Sequence, residues 1–356
     1  MFNPARLALA RKRRQLTKKE LAARAGVSPV TLTRIEKGTT PDPEPETVSA
    51  LAHALDFPVE FFSLDDPEEI RVEAASFRSL SAMTAKQRDA ALASGSIGIA
   101  LDAYVNARFN LPASELLDLR DESPKAAADA LRNHWALGRK PVVHMTKLLE
   151  AKGVRIFTLS ESNQNVDAFS FWRDGTPYMF LNTFKSAERS RFDSAHEVGH
   201  LVLHRHGAPA GRDAERDADE FASAFLMPVE DLIANLPPNL TLPKLINAKE
   251  RWGVSVAALA RNAFGAGLIS DWHYREMCKT MSVMGYRRSE PVPRPREESV
   301  LWKKVLQSLW SDRVDKQTIA RALCIPSSEL EALLGGLYGE PTMQQGLGQR
   351  PVFRTV

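Results

Sequence analysis

The sequence predicts an α+β fold that is mostly helical, on three observations. Apolar residues recur at helical spacing along most of the 356 residues, strand-like runs are confined to 154–182, and an H-E-x-x-H follows them in helix-forming surroundings. The length allows two or three domains. With 44% apolar and 26% charged residues the composition is that of an ordinary globular chain, which excludes disorder on a large scale. No run approaches a membrane span, and Met1 to Arg14 is basic and amphipathic without a signal peptide's apolar core. A cytoplasmic protein with no membrane partner is therefore expected. Cys278 and Cys324 stand in apolar helical contexts at no ligand-like spacing and read as reduced core residues. The net charge of +3 is small, so any argument for nucleic acid rests on where the charge lies.

It lies at the start. Residues 1–38 carry ten Lys/Arg against Glu20 and Glu36, a local balance of +8 that suits phosphate. Beneath it runs a first helix, Thr17 as N-cap of a helix from Lys18 to Ala25, Gly26 in a turn, Ser28 as the next N-cap, a helix from Pro29 to Lys37, and Gly38 as stop. This is a helix-turn-helix. Leu21, Ala22, Val27, Leu32 and Ile35 are spaced to lock the two helices, leaving Val30, Thr31, Thr33, Arg34 and Lys37 outward. Helices at 46–55 and 58–62 complete a five-helix domain, residues 1–64.

Asp65-Asp66-Pro67-Glu68-Glu69 opens a linker, 65–83. Helices follow at 84–110, from Ser123-Pro124 to about 135, and at 141–152, stopped by Gly153. Strand composition then appears at 154–157, 166–171 and 177–182, and Asp174-Gly175 joins the last two as a hairpin. A small antiparallel sheet is expected, in which Asp167, Tyr178 and Asn182 serve either the sheet or catalysis. Beyond Pro228 come helices at 245–252, 256–264 and 272–284, which end a main domain of 84–290. A proline-rich break at 291–295 and a helical pair at 301–310 and 316–337 make a C-terminal segment, 291–339, without assigned chemistry. Residues 340–356 read as a flexible tail.

The chemistry is concentrated in Phe192-Asp193-Ser194-Ala195-His196-Glu197-Val198-Gly199-His200. His196 and His200 lie one turn apart on one helix face, so two imidazole nitrogens can converge on one metal ion. Glu197 lies one position round, where its carboxylate can reach a water and act as general base. Zinc with three protein ligands keeps a fourth position open, and a second helical run, 215–228, offers Glu215 as third ligand. Asp219, one turn on, can accept the outward N–H of a ligand histidine. His204 and His206 read as surface or capping residues.

Both regions resemble known families. The stretch from Leu16 to Gly38 resembles the phage-repressor-like (XRE) class, L-T-x-x-E-L-A-x-x-x-G-V-S-x-x-T-I-x-x-I-E-x-G, with Lys18 and Pro29 where that class often has glutamine and a polar residue. The resemblance implies that the helix from Pro29 enters the major groove of double-stranded DNA, with Arg34 on a guanine and Val30 or Thr31 on a thymine methyl. Lys18, Ser28, Thr33 and Lys37 complete the expected DNA-facing set. A module that docks only a protein partner is the alternative, and a homodimer is one assembly such a module allows.

H-E-x-x-H followed by Glu215-x-x-Ala218-Asp219 resembles the gluzincin arrangement. The wording of both helices, down to Phe221-Ala222-x-x-Phe225-Leu226-Met227-Pro228, resembles the ImmA/IrrE family of bacterial metallopeptidases over roughly 76–291. That resemblance implies a zincin-like domain, one Zn2+ per chain (Mn2+ or another divalent ion being the alternative), and an endopeptidase that cleaves a helix-turn-helix repressor to derepress stress-response or mobile-element genes. Two other readings stay open: a transcription regulator whose metal domain is a sensor without proteolysis, and an antitoxin or repressor that cleaves itself or its operon partner.

Overall fold

A computed structural model describes residues 1–70, 83–159, 168–205, 211–286 and 288–338. The expected tail at 340–356, Asp167 and His206 lie outside the described residues. The N-terminal bundle forms as its caps dictate. Asn3 accepts from Ala5 N ahead of α1 (Pro4–Arg13), and Thr17 and Glu20 make a reciprocal capping box on α2 (Lys18–Ala25). Gly26, at φ +67°, supplies the left-handed residue of the turn, and Ser28 caps α3 (Pro29–Glu36). Leu7, Leu21, Leu32, Ile35, Leu51, Leu55 and Phe62 close the core with α4 (Pro45–Leu55). The fifth element is a 3-10 turn, Val59–Ser63, in place of the expected α-helix. Phe61 and Phe62 in it are both buried.

The second unit is built on a three-stranded sheet of β1 (Arg155–Thr158), β2 (Phe169–Arg173) and β3 (Thr176–Leu181), in the order β1-β3-β2. The hairpin is present: Asp174 and Gly175 both have positive φ, the backbone of a two-residue I′ turn. The sheet is mixed, however, and not antiparallel, because β1 runs parallel to β3 (Arg155↔Tyr178 to Thr158↔Leu181) while β2 pairs antiparallel with it. The reason is topological. The chain leaves β1, returns as β2 at the far edge, and the hairpin then drops β3 into the centre.

One face of the sheet is an aromatic stack in which the rings of Phe169 and Phe180 lie 4.8 Å apart and nearly parallel, flanked by Phe157, Phe171 and Tyr178. It packs under α5 (Ala85–Asn106), where Gly98 lets the helix come down onto Phe180: an added Cβ would stand 2.9 Å from its Cζ. Buried Arg155 pairs with Asp102 of α5 at 2.8 Å. Two short helices, α6 (Pro124–His134) and α7 (Met145–Ala151), follow α5; α7 starts at Met145, capped by His144, and not at 141.

The opposite face carries α8 (Ala187–Leu203), the H-E-x-x-H helix, and α9 (Arg212–Leu226) beside it. The N-terminal half of α8 is held by buried charges: Arg191 pairs with Glu297 at 2.5 Å, and Glu188 with Lys249 at 2.9 Å. Helices α10 (Val229–Asn235), α11 (Leu242–Ala248), α12 (Val256–Gly265) and α13 (Asp271–Val283) continue the domain. The C-terminal segment forms α14 (Val300–Ser311), α15 (Lys316–Ala322) and α16 (Ser327–Leu334). The single helix expected over 316–337 is thus divided, because Cys324 turns left-handed at φ +51° before Pro326.

Candidate metal centre and nucleic-acid interface

Helix α8 presents His196 and His200 from successive turns, and α9 brings Glu215 across from its first turn. The approach is close because position 199 is glycine: a Cβ there would lie 3.1 Å from Ala218 Cα on α9. The two Nε2 atoms are 3.1 Å apart, and Glu215 places Oε2 at 3.3 Å from His196 Nε2 and Oε1 at 3.4 Å from His200 Nε2. One nitrogen or oxygen from each residue lies within 4.8 Å of the others. Two imidazoles and one carboxylate converging at this spacing are the donor set of a divalent ion such as zinc, so the residues present fit the ion that the motif implies.

The electrostatics agree. Burial disfavours the charged His196, but hydrogen bonds with the Asp219 and Glu215 carboxylates outweigh it and raise its pKa to about 10. Burial also opposes the charge on Glu215, yet the two histidines hold its pKa well below the carboxylate range. Asp219 Oδ1 stands 2.9 Å from His196 Nδ1, on the outward side of the ring. Glu197 is buried. Its Oε2 accepts from Ser170 Oγ on β2 at 2.6 Å.

In the N-terminal bundle α3 is the exposed element. Val30 is 61% exposed, and Ser28, Thr31, Arg34 and Lys37 face solvent with Thr33 half-buried. Ser28 and Thr33 spend hydroxyl contacts on the helix itself, Ser28 Oγ accepting from Thr31 N and Thr33 Oγ1 donating to Pro29 O. Lys18 keeps its side chain 41% exposed while its Nζ pairs with the nearly buried Glu36 at 2.8 Å. Arg11 binds the same carboxylate at 2.5 Å, and Arg13 and Arg14 both bind buried Glu329 on α16.

Residues 149–264 match the family model of the IrrE N-terminal-like domain, peptidase M78, and residues 7–62 match that of the helix-turn-helix family. The chain carries both domains. The IrrE N-terminal-like match points to a zincin-like metallopeptidase family and a divalent metal, and the helix-turn-helix match to DNA binding. No curated protein matches the chain. Among the described residues no helix is long and apolar enough to cross a membrane.

Two residues of the IrrE-like domain escaped the sequence reading. Ser170, the partner of Glu197, lies 27 positions before it, and only the β2–α8 packing reveals the contact. His204 ends α8 as an expected capping residue, yet its Nδ1 lies 3.0 Å from His200 Nδ1, and burial pushes its pKa down to about 4. Its signal was visible as a third histidine at the same four-residue interval. Tyr178 and Asn182 serve the fold: Tyr178 donates to Asp102 at 2.8 Å, and Asn182 Oδ1 accepts from Phe184 N at 2.8 Å.

Proposed function

We propose that the chain is a zinc-dependent endopeptidase of the cytoplasm that binds double-stranded DNA through its helix-turn-helix and cleaves a repressor-type protein, derepressing stress-response or mobile-element genes. In this reading residues 1–64 bind DNA, 65–83 link, 84–290 cleave and 291–339 brace. The observation that carries it is the placement of buried Glu197, next to His196 in the metal cluster's helix and hydrogen-bonded to Ser170 of the edge strand β2 at once. A sensor site needs ligands but has no use for a carboxylate aimed past them.

A divalent ion bound by the three residues would act as a Lewis acid on a peptide carbonyl and lower the pKa of a nearby water. Glu197 takes the proton from that water and passes it to the leaving amine. The Ser170 hydroxyl, donating to Oε2, fixes the carboxylate and leaves Oε1 to carry the proton. Among the described residues no strand pairs with the outer edge of β2, so an extended peptide can add there through main-chain hydrogen bonds. The scissile segment must then be a loop or unfold locally, which in a repressor describes the region beyond its DNA-binding domain. Binding near the same operator raises the local concentration of such a substrate.

Self-cleavage is a second reading, favoured by two contacts. Arg173 at the end of β2 pairs with Glu68, and Ile70 packs against α5 beside Phe171, so this chain's own linker reaches the same strand. Both readings are tested by incubating wild type and Glu197→Gln, loaded with zinc, with repressors encoded nearby, and mapping fragments by mass. Repressor fragments with wild type alone support action in trans. Fragments ending within 65–83 support action in cis, and an inert metal-loaded wild type refutes the peptidase.

A further inference from the structure

Each imidazole of the metal cluster is held from behind through its other nitrogen, and the two holders differ in kind. His196 and His200 turn Nε2 inward toward Glu215. Their Nδ1 atoms point away, His196 to Asp219 Oδ1 at 2.9 Å and His200 to His204 Nδ1 at 3.0 Å. A ligating imidazole offers a lone pair at one nitrogen and carries its proton on the other, so an inward Nε2 requires the proton on Nδ1. Asp219, as a carboxylate, can only accept that proton's hydrogen bond. His204 accepts at Nδ1 only in the tautomer that keeps its own proton on Nε2. The opposite tautomer would donate to His200 Nδ1 and force the proton of neutral His200 onto Nε2, the atom the metal needs.

We propose that His204 is a positioning residue of the metal centre, whose unprotonated Nδ1 accepts the Nδ1–H of His200 and so fixes that ligand's tautomer and ring orientation. This rests on the metal-site reading above. The fold supplies the geometry. His204 stands one turn beyond His200, its backbone N–H donates to His200 O at 3.0 Å, and the two rings lie 5.1 Å apart at 50°. A single helix face thus carries three histidines, of which two offer Nε2 to the metal and the third holds the second. The arrangement is asymmetric, since an imidazole nitrogen is a weaker acceptor than the carboxylate that holds His196.

The test uses the full chain, stripped of metal and titrated with cobalt(II) and zinc. His204→Leu keeps apolar bulk and accepts nothing, whereas His204→Asn can place an amide oxygen near the position of Nδ1. The leucine variant is expected to bind about 10–100-fold more weakly and to shift the cobalt absorption bands, while asparagine recovers most of the affinity. The metal-free melting temperature of both should stay at the wild-type value, a result that separates positioning from a helix-capping role. Binding by the leucine variant within twofold of wild type would overturn the proposal. Should that variant not fold, nitrogen-15 histidine spectra of zinc-loaded wild type decide: a proton on Nε2 of His204 supports the proposal and one on Nδ1 overturns it. A wild type that takes up neither metal removes the metal site itself, and that is seen before any variant is compared.

Discussion

Gly199→Ala tests whether the closeness of two helices makes the metal site. The added Cβ would stand 3.1 Å from Ala218 Cα, 3.2 Å from Phe221 Cδ1 and 3.3 Å from Phe221 Cβ. Phe221 Cδ1 can swing by a few tenths of an ångström, but Ala218 Cα is backbone, so α9 as a whole must move. Two energies compete. Replacing a helical glycine gains about 1 kcal/mol, and overpacking of this kind costs roughly 1–3 kcal/mol, which leaves a net loss of about 0–2 kcal/mol. The protein folds. Glu215 rides on α9, however, and a ligand displaced by a few tenths of an ångström exceeds the roughly 0.2 Å that coordination distances tolerate. Metal affinity should therefore fall about tenfold or more while stability changes little, as read by competition with a chromophoric chelator on the metal-free protein. Gly98→Ala is the control: its Cβ would press on Phe180 on the other face of the sheet, so it should cost stability and leave affinity alone. An unchanged affinity in Gly199→Ala, within twofold of wild type, would refute the reasoning.

Other outcomes follow from the same geometry. His200→Ala and Glu215→Ala should each abolish stoichiometric zinc, measured by elemental analysis, whereas Glu197→Gln should retain it and lose all peptide hydrolysis. DNA affinity should fall with salt, but with a slope near −4, since about 0.9 is lost per phosphate and the exposed cations of α2 and α3 are Lys19, Arg24, Arg34 and Lys37. A slope near −8 would show that the paired cations also reach DNA. Arg34→Ala should cost about 1–3 kcal/mol on a preferred site and less on random DNA, while Lys18→Ala, which removes a partner of Glu36, should change DNA affinity less than Lys37→Ala does. Glu329→Ala leaves Arg13 buried without that carboxylate and should cost about 3–5 kcal/mol, seen as faster proteolysis of the linker after the N-terminal domain.

What the sequence disclosed was local. His196 and His200 share a face because four residues make one helical turn, and Thr17, Gly26 and Ser28 mark their turn by cap chemistry that needs no tertiary contact. Glu215 was legible for a similar reason, since its run carries its own apolar stripe of Ala218, Phe221, Ala222 and Phe225, all buried. What escaped was set by long-range placement. No pattern in β1 records that β3 lies beside it in parallel, because strand direction is fixed by the path of the chain between them. The charge count over residues 1–38 was correct as arithmetic but silent on pairing. Glu36 lies inside the counted stretch and takes two cations, and Glu329 takes two more from over three hundred residues away.

That last pairing shows how one local design serves two ends. Residues 315–334 repeat the local structure of 17–36 position by position. Asp315 caps α15 by accepting from Thr318 N as Thr17 accepts from Glu20 N, and Ile319 and Ala320 are buried as Leu21 and Ala22 are. Cys324 takes the left-handed place of Gly26, Ile325 N donates to Ala320 O as Val27 N does to Ala22 O, and Leu330 and Leu333 fill the places of Leu32 and Ile35. The second helices differ at the cap, where Pro326 stands in place of Ser28, and in what faces outward. On α3 this face holds Val30, Thr31 and Arg34 and stays exposed. On α16 the corresponding positions hold exposed Ser328 and two engaged residues: Glu329 binds Arg13 and Arg14 at the end of α1, and Ala332 O accepts from Thr158 on β1. A carboxylate at the third position of the helix repels phosphate and attracts a neighbouring guanidinium, so the copy joins the sheet domain to the DNA-binding domain. Because it grips α1 and leaves α3 open, α3 stays exposed while the bundle remains docked.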